Sequence, residues 1–252
     1  MGIFAVVFLG AVPQLLQHFS AATLFVVIAT SMGLATAVTA WSFPELAQPA
    51  ESKDTAPSAT ATRMPRAVWF VIGVVICLTL NQAMVFGFVE RMGAERGFGA
   101  DRVNSVLIAL GLVNLMPGLL AALLQRKWSP VAVGVAGPVG QAVLALVMSH
   151  AVTYGPYALA ASLYVSMVIF THTFLFGLLS RLDPSGRAVA ATPAMMMVGS
   201  CIGPALGGAI VQGLGYPGLG WAACAVACVA VITMLQVQRR LPPAPAAKPL
   251  HA

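Results

Sequence analysis

Residues 66–90 read RAVWFVIGVVICLTLNQAMVFGFVE, and between Arg66 and Glu90 there is no charged side chain. A helix needs about 20 such residues to cross roughly 30 Å of hydrocarbon. The same grammar recurs outward in both directions, as long apolar runs separated by short polar punctuation. Candidate spans fall at about 3–18, 21–42, 67–89, 103–124, 130–149, 156–179, 188–213 and 217–237, eight in all. Composition agrees: 59% of the residues are hydrophobic and 8% charged, with a mean hydropathy of +0.90, so the chain cannot cover a soluble surface. Backbone groups in lipid must be satisfied internally, which leaves helices or closed barrels. The runs are continuous and rich in Leu, Ala, Val and Gly, whereas barrel strands would alternate in segments of about ten. The expected fold is therefore all-α, a polytopic transmembrane helical bundle of about eight spans.

Four regions follow: two transmembrane helices at 1–43, a linker at 44–66, six helices at 67–238, and a tail at 239–252. The linker, PELAQPAESKDTAPSATATRMP at 44–65, is rich in Pro, Ala, Ser and Thr and lacks apolar periodicity. The tail LPPAPAAKPLHA is similarly Pro- and Ala-rich. A secretory signal peptide describes the start poorly, since no basic segment or small-residue cleavage site surrounds the first apolar run. With the linker placed in the cytoplasm, the loops on that side hold Lys53, Arg63, Arg66, Arg126, Lys127, Arg181, Arg187, Arg239, Arg240 and Lys248. Only Arg91, Arg96 and Arg102 of the thirteen basic residues lie opposite, interleaved with Glu90, Glu95 and Asp101. Positive charge concentrates in cytoplasmic loops, so both termini are expected inside, and the net charge of +6 reads as a topology signal. The Glu90–Arg102 stretch reads as a solvated loop of exposed ion pairs, each worth roughly 0–1 kcal/mol. No basic patch carries interleaved exposed aromatics, so nucleic acid is not an expected partner.

Chemistry-bearing motifs are sparse. Cys77, Cys201, Cys224 and Cys228 all fall inside spans and none has ligand spacing with histidine, so they read as packing residues, with no disulfide framework, metal or cofactor expected. Gly-rich phosphate loops, HExxH and GxSxG are missing from the sequence, and an enzyme is not expected.

Three stretches carry a resemblance. Residues 87–124, GFVERMGAERGFGADRVNSVLIALGLVNLMPGLLAALL, resemble the outer end of helix seven and helix eight of the major facilitator superfamily. Residues 180–215, SRLDPSGRAVAATPAMMMVGSCIGPALGGAIVQGLG, are similar to that family's loop between helices ten and eleven and its Gly-rich helix eleven. The opening LGAVPQLLQHFSAATLFVVIATSMGLATA looks like helices five and six. The sequence LLQRKWSP keeps the basic pair Arg126 and Lys127 but lacks the fuller acidic-plus-glycine signature of many members. The resemblance implies helices five to twelve, with four more before Met1, so the abrupt start at Gly2-Ile3-Phe4 favours an N-terminally truncated member. It further implies secondary active transport of a small solute by alternating access in an inner, bacterial plasma membrane. The expected partners are membrane lipid, the small-molecule substrate and a missing N-terminal half or second chain. The alternatives are a non-transporting helical membrane protein acting in assembly or signalling, and an inactive truncated transporter.

Polar side chains within hydrocarbon cost energy unless they face a cavity or find partners. Asn81, Gln82, Asn114, Tyr164, His172 and Thr173 are the substrate-cavity candidates, against the plainer reading that Asn and Gln bond between helices. Gln141 is assigned to interhelical bonding. His172 is the proton-coupling candidate, because no Asp or Glu occupies the middle of a span and imidazole titrates near neutrality. Gly199, Gly203 and Gly207, spaced by four, put small residues on one face of a helix that also contains Pro204. They read as a packing seam, or as one that lets the helix slide or bend. Pro117 with Gly118, and Gly137 with Pro138 and Gly140, read as kinks or close contacts.

Overall fold

A computed structural model describes residues 20–42 and 64–240. The expected span at 3–18, the linker up to residue 63 and the tail from residue 241 lie outside the described residues. The chain divides into two units between Arg63 and Met64. The described part of the first is one helix, α1 (Ala21–Ser42).

The regular structure among the second unit's described residues is all helical: α2 (Arg66–Phe86), α3 (Val89–Glu95), α4 (Ala100–Val113), α5 (Met116–Leu124), α6 (Pro130–His150), α7 (Tyr154–Leu182), α8 (Arg187–Ala190) and α9 (Thr192–Arg240). Six helical stretches are long and apolar enough to cross a membrane: Ala22–Ser42, Arg66–Glu95, Ala100–Leu124, Pro130–His150, Tyr154–Leu182 and Arg187–Arg240. The last holds 54 residues, which as a straight helix would reach roughly 80 Å. It turns at Gly215, whose φ of 68° and ψ of −175° lie in a region essentially restricted to glycine. Two arms result, 192–214 and 216–240. A second break separates α4 from α5 at Asn114 and Leu115, just before Pro117, which has no N–H to continue the ladder.

Interhelical contacts give the direction of six helix pairings. On α2, Ile76, Thr79 and Leu80 face Gly199, Ala83 faces Gly203, and Met84 faces Gly207, so α2 and the 192–214 arm run parallel. The Tyr154 hydroxyl donates to the Arg102 carbonyl at 3.1 Å and Ser166 donates to Asn114 Oδ1 at 2.9 Å. These share one sequence offset, so α7 runs parallel to α4. Four further pairings are antiparallel. Asn81 and Gly73 of α2 meet Ala223 and Thr233 of the 216–240 arm, while Gly137 and Gly140 of α6 meet Thr171 and Met167 of α7. The hydroxyls of Tyr164 and Tyr157 reach the carbonyls of Asn81 and Val89, and Gly134 and Gly220 join α6 to the 216–240 arm at Met234 and Ser149. With the 187–240 stretch divided at Gly215, exchanging 66–95, 100–124 and 130–150 with 154–182, 187–214 and 216–240 maps these pairings onto themselves with direction preserved. The first helix of one triplet, α2, runs antiparallel to the first of the other, α7, so the second triplet is inverted relative to the first. The unit is an inverted three-plus-three repeat in its helix pairing.

Large apolar side chains point outward all round this unit, among them Trp69, Leu119, Leu123, Leu159, Trp221 and Ile232. A soluble monomer does not expose such a surface; lipid solvates it. The interior joins Val68, Val71, Val75, Leu175, Leu179, Met195 and Met234 into one cluster. The Arg240 guanidinium lies 5.0 Å from the Phe70 ring centroid, which brings the start of α2 and the end of α9 to the same end of the unit.

Candidate functional site

Polar side chains inside this apolar unit fall into three groups. The first is a fully buried cluster at the crossing of α2, α6, α7 and the 216–240 arm. Gln141 Nε2 donates to the Leu78 carbonyl at 3.2 Å and lies 3.4 Å from the Tyr164 hydroxyl, which donates to the Asn81 carbonyl at 2.9 Å. Asn81 Nδ2 donates to the Ala223 carbonyl at 3.3 Å. Asn81 and Tyr164 therefore tie four helices together. Asn81 Oδ1 and Gln141 Oε1 have no hydrogen-bond partner among the described residues.

The second group centres on His172, where α7 meets α2. His172 is buried, stacks on Phe176 with ring centroids 5.4 Å apart, and lies beside the Val75 backbone. Its Nε2 has no partner among the described residues. Gln82 is half-buried and lies two turns along α2 from Val75, on the same stripe. Thr173 is exposed and returns its hydroxyl to the Ile169 carbonyl at 3.0 Å. Asn114 stands apart, held by Ser166 at the break between α4 and α5.

The third group was expected to be a solvated loop of ion pairs, and its contacts differ. Arg96 is half-buried and reaches across to α6, donating to the Met148 carbonyl at 2.7 Å and to the Ser149 carbonyl; burial lowers its pKa from the ordinary guanidinium value. Glu95 accepts from the Tyr216 hydroxyl at 2.7 Å, and Arg102 lies 5.5 Å from the Tyr154 ring centroid. Composition could not reveal this, because each partner is more than fifty residues away.

The glycine seam is occupied internally. A methyl group on Gly199 would sit 2.6 Å from the Ile76 carbonyl oxygen and the Leu80 nitrogen. One on Gly203 would sit 2.8 Å from the Leu80 oxygen, and one on Gly207 2.6 Å from the Met84 oxygen. Pro204 is exposed on the other side of the helix. All four cysteines are free thiols.

At the opposite end from Arg96, Asp183 caps the turn into α8. Its carboxylate accepts from the Ser185 hydroxyl, from the Ser185 N–H at 3.2 Å and from the Ala188 N–H at 2.8 Å. The Ser185 hydroxyl first, then the Ala188 N–H, hold its pKa below the ordinary 3.8, with a smaller contribution from Arg187. A carboxylate with a depressed folded pKa stabilises the fold above its unfolded value and loses that contribution as pH falls through the folded one. The turn at 183–188 is accordingly expected to hold from neutral pH down to about pH 4 and to loosen below it. Asp183→Asn should remove this pH dependence, read as hydrogen exchange at Ala188.

A groove of ≈ 1050 Å³ opens between α5, α6 and α7. Its walls are apolar, from Leu120 and Leu124 across Ala136 and Val143 to Leu163 and Phe170, with Ser166 and Thr171 polar along its length and Lys127 and Ser129 at one end. None of Asn81, Gln82, Asn114, Tyr164, His172 or Thr173 lines it. Comparison with family models, curated proteins and solved structures finds no match.

Proposed function

We propose that this chain is the C-terminal part of a secondary transporter of the major facilitator type, moving a small solute across a bacterial inner membrane by alternating access. The carrying observation is the inverted three-plus-three pairing of residues 66–240, since inverted repeats are how many transporter folds build a midplane site. Read this way, α9 crosses twice, on either side of Gly215, and the eight-span count expected from the sequence is kept. Both termini are then cytoplasmic and a second half completes the cavity. Gln82, His172 and Thr173 are the proposed solute-facing side chains: among the described residues Gln82 and Thr173 make no side-chain hydrogen bond to another helix, and His172, which bonds the Val75 backbone, keeps an unpartnered Nε2. His172 is the proposed proton-coupling group, and His172→Gln should abolish the pH dependence of uptake.

The rival, a non-transporting protein that uses the glycine seam to grip a partner, is disfavoured because α2 already fills the seam. Cysteine accessibility tests the transport reading without knowledge of the substrate. In a background with the four native cysteines replaced, Thr173→Cys and Val229→Cys each place a thiol at an exposed position well inside a helix. In intact membranes the first is expected to react with a membrane-impermeant maleimide and the second, facing lipid, to resist. Equal protection of both would mean no aqueous path reaches Thr173, and the transport reading would fail.

A further inference from the structure

The apolar groove does not end blindly. Lys127, Trp128 and Ser129 line both its end and an adjoining polar recess of ≈ 570 Å³, which Arg126 and Arg181 also line. Three cations from two separate connections converge there, the segment after α5 and the end of α7. No acidic side chain lines the recess, and among the described residues Arg126, Lys127 and Arg181 form neither ion pairs nor hydrogen bonds. The recess also lies at the N-terminus of α6, where Ser129 makes no side-chain cap and the open first-turn N–H groups favour an anion. Trp128 stands at the junction, half exposed, edge-on to Phe170 with centroids 6.0 Å apart. Tryptophan favours the level of the lipid headgroups.

Along α6 the groove runs from Ser129 to Leu144, roughly 22 Å at 1.5 Å per residue, which exceeds the roughly 15 Å half-thickness of the hydrocarbon. We propose that this face is a specific site for an anionic phospholipid, with one acyl chain along α6 and α7 in the groove and the phosphate between Arg126, Lys127 and Arg181. The site needs only a bilayer around the helices and stands apart from the transport reading. Charge complementarity selects an anionic lipid over a zwitterionic one, and the continuity of groove and recess selects a lipid over a soluble anion.

The test uses the purified full chain, stripped of lipid in mild detergent and offered equal amounts of dioleoyl phosphatidylglycerol and dioleoyl phosphatidylcholine, with bound lipid counted by native mass spectrometry. The phosphatidylglycerol adduct is expected to dominate. Each cation near a lipid surface contributes about fivefold, so Arg181→Gln should cut the preference by about that factor, and Arg126→Gln, Lys127→Gln and Arg181→Gln together should erase it. Ala136→Trp, at an exposed groove position, fills the chain channel and should reduce binding of both lipids while leaving all three cations. Glycerol phosphate at millimolar concentration should not compete. Equal binding of the two lipids by the unaltered chain, a preference that survives the triple substitution, unchanged binding by Ala136→Trp, or displacement by glycerol phosphate would each overturn the proposal.

Discussion

Gly203→Val is expected to prevent the 66–240 unit from reaching its folded state, and Gly203→Ala to lower its unfolding temperature by several degrees. Lipid tails are as apolar as leucine, so helices in a bilayer are held by close contact and hydrogen bonds. At the parallel crossing of α2 with the 192–214 arm, Gly199, Gly203 and Gly207 let the two main chains meet directly. At Gly203 an added methyl group would lie 2.6 Å from Ala83 Cβ and 2.8 Å from both the Leu80 oxygen and the Met84 nitrogen. Two of these three are main-chain atoms, which cannot turn aside as a flexible side chain can. Overpacking typically costs about 1–3 kcal/mol where neighbours adjust, and alanine here should reach the upper end of that range. Valine, with two more heavy atoms, should exceed it and approach the whole stability of an ordinary domain, about 5–15 kcal/mol. The same helix supplies its own control. Gly208 has nothing within 4 Å of an added methyl group, so Gly208→Ala should leave stability unchanged or raise it by up to about 1 kcal/mol through helix propensity. Thermal unfolding of the three variants in one detergent decides the matter. Equal effects at 203 and 208 would show that the seam is not closed as the geometry has it.

The contrast between those two glycines marks the limit of what the amino-acid sequence made legible. Hydropathy marked the apolar stretches that form membrane-length helices among the described residues, because lipid imposes a length on every span. Spacing of four in Gly199, Gly203 and Gly207 put small residues on one face, yet it could not say that α2 would fill that face. The parallel pairings of α2 with the 192–214 arm and of α7 with α4 join stretches that are not consecutive, so periodicity carries no trace of them. Polar residues were visible as anomalies in apolar runs, but the distinction between a tie and an open side chain was not. Asn81 and Gln82 are adjacent, and one bonds across to Ala223 while the other is half-buried. A rotation of about 100° per residue separates those fates, and only packing sets its origin. Arg126 and Lys127 read as a topology signal alone until the fold brought Arg181 beside them.

Arg96 shows the same limit at a larger energetic scale, and Arg96→Ala is expected to destabilise the unit by about 2–4 kcal/mol. The last carbonyls of any helix lack intrahelical partners, and those of α6 end at His150, where Ala151 turns extended and Pro156 follows soon after. The Arg96 fork satisfies two of them, at Met148 and Ser149, with a cation placed where the helix dipole is negative. Hydrogen bonds to charged groups contribute about 1.5–3 kcal/mol each, and the remaining exposure of this side chain places the pair below their simple sum. Lysine keeps the charge but presents no fork, so Arg96→Lys should recover less than half of the loss. Arg91, exposed at the same end, is the matched control, and Arg91→Ala should stay within about 0.5 kcal/mol of the unaltered chain. Hydrogen exchange adds a local readout. Loss of Arg96 should speed exchange across the last turn of α6 and where that turn packs on the 216–240 arm near Gly220. If Arg96→Ala and Arg91→Ala behave alike, the outer loop is the solvated charge run that composition suggests, and the end of α6 is held by the Gly220 contact alone.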